Sequence, residues 1–163
     1  MSFNILSVLV ENKPGVMQKV SGMFRRRNFN IESITVGHCE QEGLSRMVLT
    51  VVGDDKIVEQ VRKQLSKIVE VIKVVNIPKS ESVIRELALI KVATDTERKR
   101  AEVVQFVEIF RGKILDVSPK AVTVEITGTS EKIDSFIALV KPLGIKEIAR
   151  TGITAMRRSP KIE

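Results

Sequence analysis

The stretch FNILSVLVENKPGVMQKVSGMF, residues 3–24, decides the fold. Residues 3–10 form an apolar, β-rich run of strand length, and the hydrophobic period changes at Pro14. Proline suits the first turn of a helix, and the arginines at 25–27 stand where cations favour the helix dipole. Four apolar residues recur on one helical face: Val16, Val20, Met23 and Phe24. The stretch therefore predicts a strand, a tight turn and a helix of about three turns.

The rest of the first half completes a known order of elements. Residues 29–37 alternate Ile31, Ser33 and Thr35 against Glu32, Ile34 and Val36, as a half-buried strand does. A turn at Glu42-Gly43 joins them to a second β-branched run, 44–52. A helix after Gly53 and a strand over 69–77 follow. The order β-α-β-β-α-β predicts a four-stranded antiparallel sheet with two helices on one face, the ferredoxin-like arrangement.

The same order then recurs. After a polar, proline-marked stretch comes a strand over 85–94, and Thr94 with Glu97 suggests a capping box for the next helix. A hairpin at 118–120, a second helix and a last strand over 145–156 complete the unit. The predicted fold class is α+β, two tandem ferredoxin-like domains. We place the first domain at 1–78, a linker at 79–82 and the second domain at 83–158.

Composition narrows the function. The 163 residues carry a net charge of +7 but no Trp or Tyr, which argues against recognition of nucleic acid by base stacking. Cys39 and His38 are the single cysteine and histidine, so an intrachain disulfide, a metal site or a histidine-based catalytic pair is not expected. Neither an apolar run of about 20 residues nor a signal peptide is visible. We expect a cytoplasmic protein that does not enter a membrane.

The turn between the first strand and helix has chemistry of its own. A helix that begins at Pro14-Gly15 presents free backbone amides and the positive end of its dipole, which suit an anion. Asn12 adds an acceptor for a cation, so the turn could bind an amino-acid zwitterion. Asn30 could add a polar contact, with Ile31 and Val36 as an apolar wall. An ordinary capping turn remains the alternative. Because each domain has a modest core and open strand edges, we expect a dimer at least.

Both halves of the chain resemble a known family. The motifs ILSVLVENKPGVMQKVSGMFRRRNFNIESITVG and LSRMVLTVVGDDKIVEQVRKQLSKIVEV resemble the ACT domain of the small regulatory subunit of acetolactate synthase. FRGKILDV, VEITGTSEKIDSF and EIARTGI resemble its C-terminal domain. The resemblance implies a subunit without catalytic residues. It would activate a separate catalytic subunit that uses thiamine diphosphate, Mg²⁺ and FAD, and confer feedback inhibition by valine in branched-chain amino-acid synthesis.

The family's effector site lies between the ACT domains of a dimer. Carried over by motif position, it comprises seven residues here: Asn12, Gly15, Val16, Met17, Asn30, Ile31 and Val36. Met17 is a departure, since leucine is commoner in related loops. Two other classes stay open: an amino-acid-sensing ACT protein that regulates another enzyme or transcription, and a small ferredoxin-like hydrolase.

Overall fold

A computed structural model describes residues 3–160, and the chain forms two compact units. Among the described residues, the first unit comprises 3–84 together with 153–160. The second unit is Arg85–Gly152. The division differs from the predicted domains, which place residues 153–158 in the second domain. The reason is local: Ile153 and Ala155 are buried on the first sheet.

The first unit is the predicted four-stranded sheet with two helices. Its elements are β1 (Phe3–Glu11), α1 (Val16–Arg27), β2 (Asn30–His38), β3 (Leu44–Val52), α2 (Asp55–Ser66) and β4 (Val71–Ile77). The strands lie in the order β2-β3-β1-β4, and every neighbouring pair is antiparallel. The four apolar residues of α1 that were predicted to share one face, from Val16 to Phe24, are the residues of this helix that are buried. They pack with Leu6, Val8 and Val10 of β1 in one core.

A register shift in β2 corrects the predicted strand alternation. Ile31 pairs with Val51, but the shift that follows makes Ser33, not Glu32, pair with Thr50. This is a β-bulge, in which one extra residue interrupts the alternation of faces. Ile31 therefore points to the helix-covered face with Val36, where simple alternation places the two on opposite faces.

The second unit repeats the topology. Its elements are the part of β5 (Ser82–Ala93) that follows Ile84, α3 (Glu97–Ile109), β6 (Lys113–Val117), β7 (Ala121–Gly128), α4 (Ser130–Val140) and β8 (Ile145–Arg150), and its strands lie in the order β6-β7-β5-β8. The predicted linker is instead a short 3₁₀ turn, Lys79–Glu81, that leads directly into β5. The predicted last strand is two strands, because β9 (Thr154–Arg157) separates from β8 and pairs with β5.

Helix caps differ between the first helix and the others. Asp54, Thr96 and Thr129 cap α2, α3 and α4, each accepting a hydrogen bond from a first-turn amide. The predicted cap Thr94 is wrong: it is fully buried, and Thr96 accepts from the Lys99 amide at 3.2 Å. Two threonines precede α3, and the sequence alone does not show which of them lies at the N-cap position.

A buried carboxylate in the second unit sets a pH dependence of stability. Glu86, only 5% exposed, accepts two hydrogen bonds from Arg150 at 2.7 and 3.0 Å and one from Ser130 at 2.8 Å. The Arg150 bonds hold the pKa of this carboxyl below its ordinary value of 4.5. A carboxyl whose folded-state pKa is lowered stabilises the fold above its unfolded pKa, and that contribution is lost as pH falls through the folded-state value.

Glu86→Gln is expected to reduce the free energy of unfolding of the second unit by about 2 kcal/mol at pH 7, because the charged bonds to Arg150 are lost. The difference from wild type should shrink as the pH falls below 4.5. Urea denaturation at a series of pH values measures it. A difference that stays constant down to the acid transition would contradict the role of the ionised carboxylate.

Candidate functional site

The turn between β1 and α1 is held by its backbone and leaves the Asn12 side chain free. The Asn12 amide donates to the Gly43 carbonyl at 2.9 Å, which ties the turn to the β2–β3 hairpin. Gly15 lies in the left-handed region at φ 86°. A Cβ at Gly15 would have no heavy atom within 4 Å, so the backbone angle, and not a lack of space, is what favours glycine here. The Asn12 side chain is exposed and unbonded within residues 3–160.

The N-terminus of α1 is not capped by a side chain. Gly15 occupies the cap position and has no side chain to offer. Within the described part of the chain, no group accepts a hydrogen bond from the amides of Gly15, Met17 or Gln18. The helix dipole adds positive potential at the same place. This end of the helix can therefore receive a carboxylate or a similar anion.

Charged side chains flank the turn. Lys13 pairs with Glu11 at 2.9 Å, and that hydrogen bond raises the Lys13 pKa. Lys19 donates to one carboxylate oxygen of Glu70, and this bond lowers the Glu70 pKa. The other oxygen, Oε2, is buried without a hydrogen-bond partner in the described structure. Glu70 was not among the residues predicted from the sequence, because it adjoins the turn only through long-range contacts, such as the backbone bond from the Glu11 amide to the Glu70 carbonyl at 2.8 Å.

The apolar members of the predicted site fall into two groups. Met17 is 39% exposed and Val36 is 47% exposed, so both side chains can contact a ligand. Val16 is buried in the core, so only its backbone remains near the turn. Ile31 is half-buried and packs against the same core.

One chain does not bring the two predicted asparagines together. Asn30 pairs with Val52, and Val52 pairs with Phe3 at the start of β1, whereas Asn12 follows the end of that strand. Asn30 lies level with Phe3, and nine residues of extended chain separate Phe3 from Asn12, which is about 30 Å along the sheet. Val36 lies toward the Asn12 end, because its partner Met47 pairs with Val8. A single chain thus carries the two predicted asparagines at opposite ends of one sheet.

Comparison with known proteins places both units in one family. Residues 6–73 match the model of the AHAS small subunit-like ACT domain. Residues 85–159 match the model of the small subunit of acetolactate synthase. The chain belongs to the family of acetolactate synthase small subunits. The predicted family and the predicted ferredoxin-like fold with an ACT domain are confirmed.

Relatives of this small subunit match it along nearly its whole length. It is 53% identical to a probable acetolactate synthase small subunit of Methanothermobacter thermautotrophicus, covering 97% of this chain and 94% of the relative. It is 55% identical to the corresponding protein of Archaeoglobus fulgidus, covering 96% and 97%. The crystal structure of the Thermotoga maritima small subunit superposes with a TM-score of 0.93 at 51% identity, covering 99% of this chain and 100% of that one.

In the second domain of the small subunit, the helix that follows the equivalent turn is capped by a side chain. Between β5 and α3, Thr96 caps the helix and Asp95 pairs with Lys99 at 2.9 Å. The Lys99 amide, which corresponds to the free Gln18 amide of α1, therefore has a side-chain acceptor at this position. Of these two turns, only the one before α1 leaves its helix without a side-chain cap.

The described residues were also searched for metal-binding groups and for membrane-spanning helices. Among residues 3–160, no group of three or more His, Cys, Asp and Glu side chains is placed to hold a metal ion. Within the same residues, no helix has the length and apolar character needed to cross a membrane.

Proposed function

We propose that this chain is the regulatory subunit that binds the catalytic subunit of acetolactate synthase, raises its activity and confers feedback inhibition by a branched-chain amino acid, first of all valine. The catalytic subunit would supply thiamine diphosphate, Mg²⁺ and FAD. The observation that carries the proposal is the uncapped, open N-terminus of α1 at Gly15 in a member of the small-subunit family.

The turn offers complementary groups for a zwitterion. The free amides beside Gly15 would bind the carboxylate, and the Asn12 side-chain carbonyl would accept from the ammonium. Met17 and Val36 expose apolar surface for an aliphatic side chain. Hydrogen bonds to charged groups contribute roughly 1.5–3 kcal/mol each, and association costs roughly 4–15 kcal/mol. The resulting affinity is weak to moderate, which suits a sensor of a metabolite pool.

A second copy of the chain would complete the site. β2 is the outer strand of its sheet, so one edge of its backbone is free to pair. Antiparallel pairing of β2 with the same strand of a second copy aligns the start of one with the end of the other. Asn30 and Ile31 of the second copy then approach Val36 and the Asn12 turn of the first. Two equivalent sites result, each shared by two chains.

Regulation then follows from linkage. An effector that bridges two chains favours the dimer arrangement to which it binds better, and it shifts the equilibrium only by that difference in affinity. The catalytic subunit would respond to the same arrangement, and its binding would in turn alter the affinity for the effector.

The deciding experiment measures acetolactate formation by the catalytic subunit, with and without this chain, during titration with L-valine. We expect activity to rise on addition of the chain and to fall again as valine increases. Leucine and isoleucine are the matched comparisons for effector choice. Unchanged activity in every condition would reject the proposal.

A further inference from the structure

The segment 153–157 lies on the helix-free face of the first sheet. Ile153 and Ala155 are 6% and 7% exposed and pack against Ile5, Val48 and Ile77. Just beyond the segment, the Arg158 amide donates to the Glu81 carbonyl at 2.7 Å. This C-terminal segment is therefore a fixed part of the first unit, next to the strands that carry the proposed effector site.

A directed chain of hydrogen bonds joins the segment to β2. The Ile153 amide donates to the Ser33 hydroxyl at 3.4 Å, and the Thr35 hydroxyl donates to the Ile153 carbonyl at 3.3 Å. The Thr50 hydroxyl donates to the Ser33 carbonyl at 3.3 Å, and the two hydroxyls of Ser33 and Thr50 contact each other. Every donor is used once if the Ser33 hydroxyl donates to Thr50. Ser33 is thus the link between the core of the sheet and the backbone of Ile153.

Ser33 also occupies the place where β2 changes register. The shift lies between Ile31 and Ser33, and it is what turns Ile31 to the face that carries Val36. A bulge holds its geometry only where neighbouring contacts fix it, because its extra residue has no ladder partner. Thr50 holds both the hydroxyl and the carbonyl of Ser33, and Thr50 is fully buried. The direction in which Asn30 and Ile31 project therefore depends on the Ser33 contacts.

The chain continues from this contact into the second unit. Two residues before Ile153, the Thr151 amide donates to the Leu87 carbonyl at 3.0 Å, and the Thr151 hydroxyl accepts from the Leu87 amide at 3.1 Å. Gly152 joins the two anchored residues with φ 79°. Thr151 and Ile153, on either side of Gly152, are therefore each hydrogen-bonded within their own unit.

We propose that Ser33 is a positioning residue for the effector site and that its hydroxyl couples effector occupancy to the C-terminal segment. This inference rests on the proposed function, because it requires an effector at the site that includes Asn30 and Ile31. Effector binding would tighten the bulge and protect the Ile153 amide. By reciprocity, breaking the hydrogen bond of that amide would weaken the binding of the effector.

Ser33→Ala in the complex with the catalytic subunit tests the coupling. It removes the acceptor of the Ile153 amide, so the L-valine concentration for half-inhibition should rise about tenfold. Hydrogen exchange at Ile153 should lose the protection that valine confers on the wild type. Ser33→Thr, which keeps the hydroxyl on a strand-compatible side chain, should restore both properties. Ser7→Ala is the matched control, because Ser7 lies half-buried on the same sheet face and its hydroxyl has no partner in the described residues.

Three results of these experiments would overturn the proposed role of Ser33. Half-inhibition of Ser33→Ala at the wild-type valine concentration overturns the inference. Equal defects in Ser33→Ala and Ser33→Thr also overturn it, because the hydroxyl would then be irrelevant. If Ser33→Ala does not fold, Thr35→Val provides the test by removing only the bond to the Ile153 carbonyl, and it should shift inhibition in the same direction. A wild-type complex that valine does not inhibit rejects the proposed function itself, and the inference with it.

Discussion

A dimer assembled from one Asn12→Ala chain and one Asn30→Ala chain is expected to recover the inhibition by valine that neither variant shows alone. Each homodimer lacks one asparagine in both of its sites. The loss of a hydrogen bond to a charged group at roughly 1.5–3 kcal/mol raises the inhibitory concentration about tenfold to a hundredfold. The mixed dimer has one site without either asparagine and one intact site, because the two residues lie about 30 Å apart within a chain.

The measurement is a valine titration of acetolactate formation after co-expression of the two variants with the catalytic subunit. The double variant Asn12→Ala/Asn30→Ala, expressed alone, is the control for expression and assembly and should stay uninhibited. Inhibition should reappear in proportion to the mixed dimers, which differently tagged chains allow to be isolated. Isolated mixed dimers as insensitive as either parent would show that the site is not shared between chains.

Gly15→Asp is expected to abolish inhibition, raising the effective valine concentration by about a hundredfold or more. The backbone at φ 86° is one that Asp tolerates better than most residues, and the new Cβ would meet open space. The added carboxylate would lie beside the free amides of Met17 and Gln18. It would compete for the donors that the effector carboxylate needs and repel that carboxylate. The helix itself should tolerate the change, because a negative charge at an N-terminus is favourable.

Gly15→Asn is the matched control, since asparagine has nearly the same size, tolerates the left-handed region and carries no charge. We expect it to weaken inhibition much less than Gly15→Asp. Thermal unfolding of both variants separates loss of the site from loss of the fold. If valine inhibits the Asp and Asn variants equally, the added negative charge is not the cause of the lost inhibition.

Local patterns predicted the elements because each depends on neighbours in sequence. The spacing of Val16, Val20, Met23 and Phe24 identified the buried face of α1, and the helix predicted after Gly53 is α2. Prediction was wrong where alternatives of equal local quality competed. Thr94 and Thr96 both suit a cap, and only the burial of Thr94 within the second unit excludes it. The alternation in β2 was wrong at Ile31, because the bulge depends on contacts with Thr50, which lies on another strand.

By itself, the sequence determined the family, the α+β class and the chemistry of the turn, because strand and helix periods, a proline-glycine start and family motifs are properties of short segments. Only the tertiary structure decided that Asn12 and Asn30 stand at opposite ends of one sheet, since strand register sets distance and no local pattern encodes it. It also decided that residues 153–157 return to the first unit, where Ile153 and Ala155 find an apolar face to cover. Burial of apolar surface and satisfaction of backbone hydrogen bonds across distant segments are the physical reasons for both.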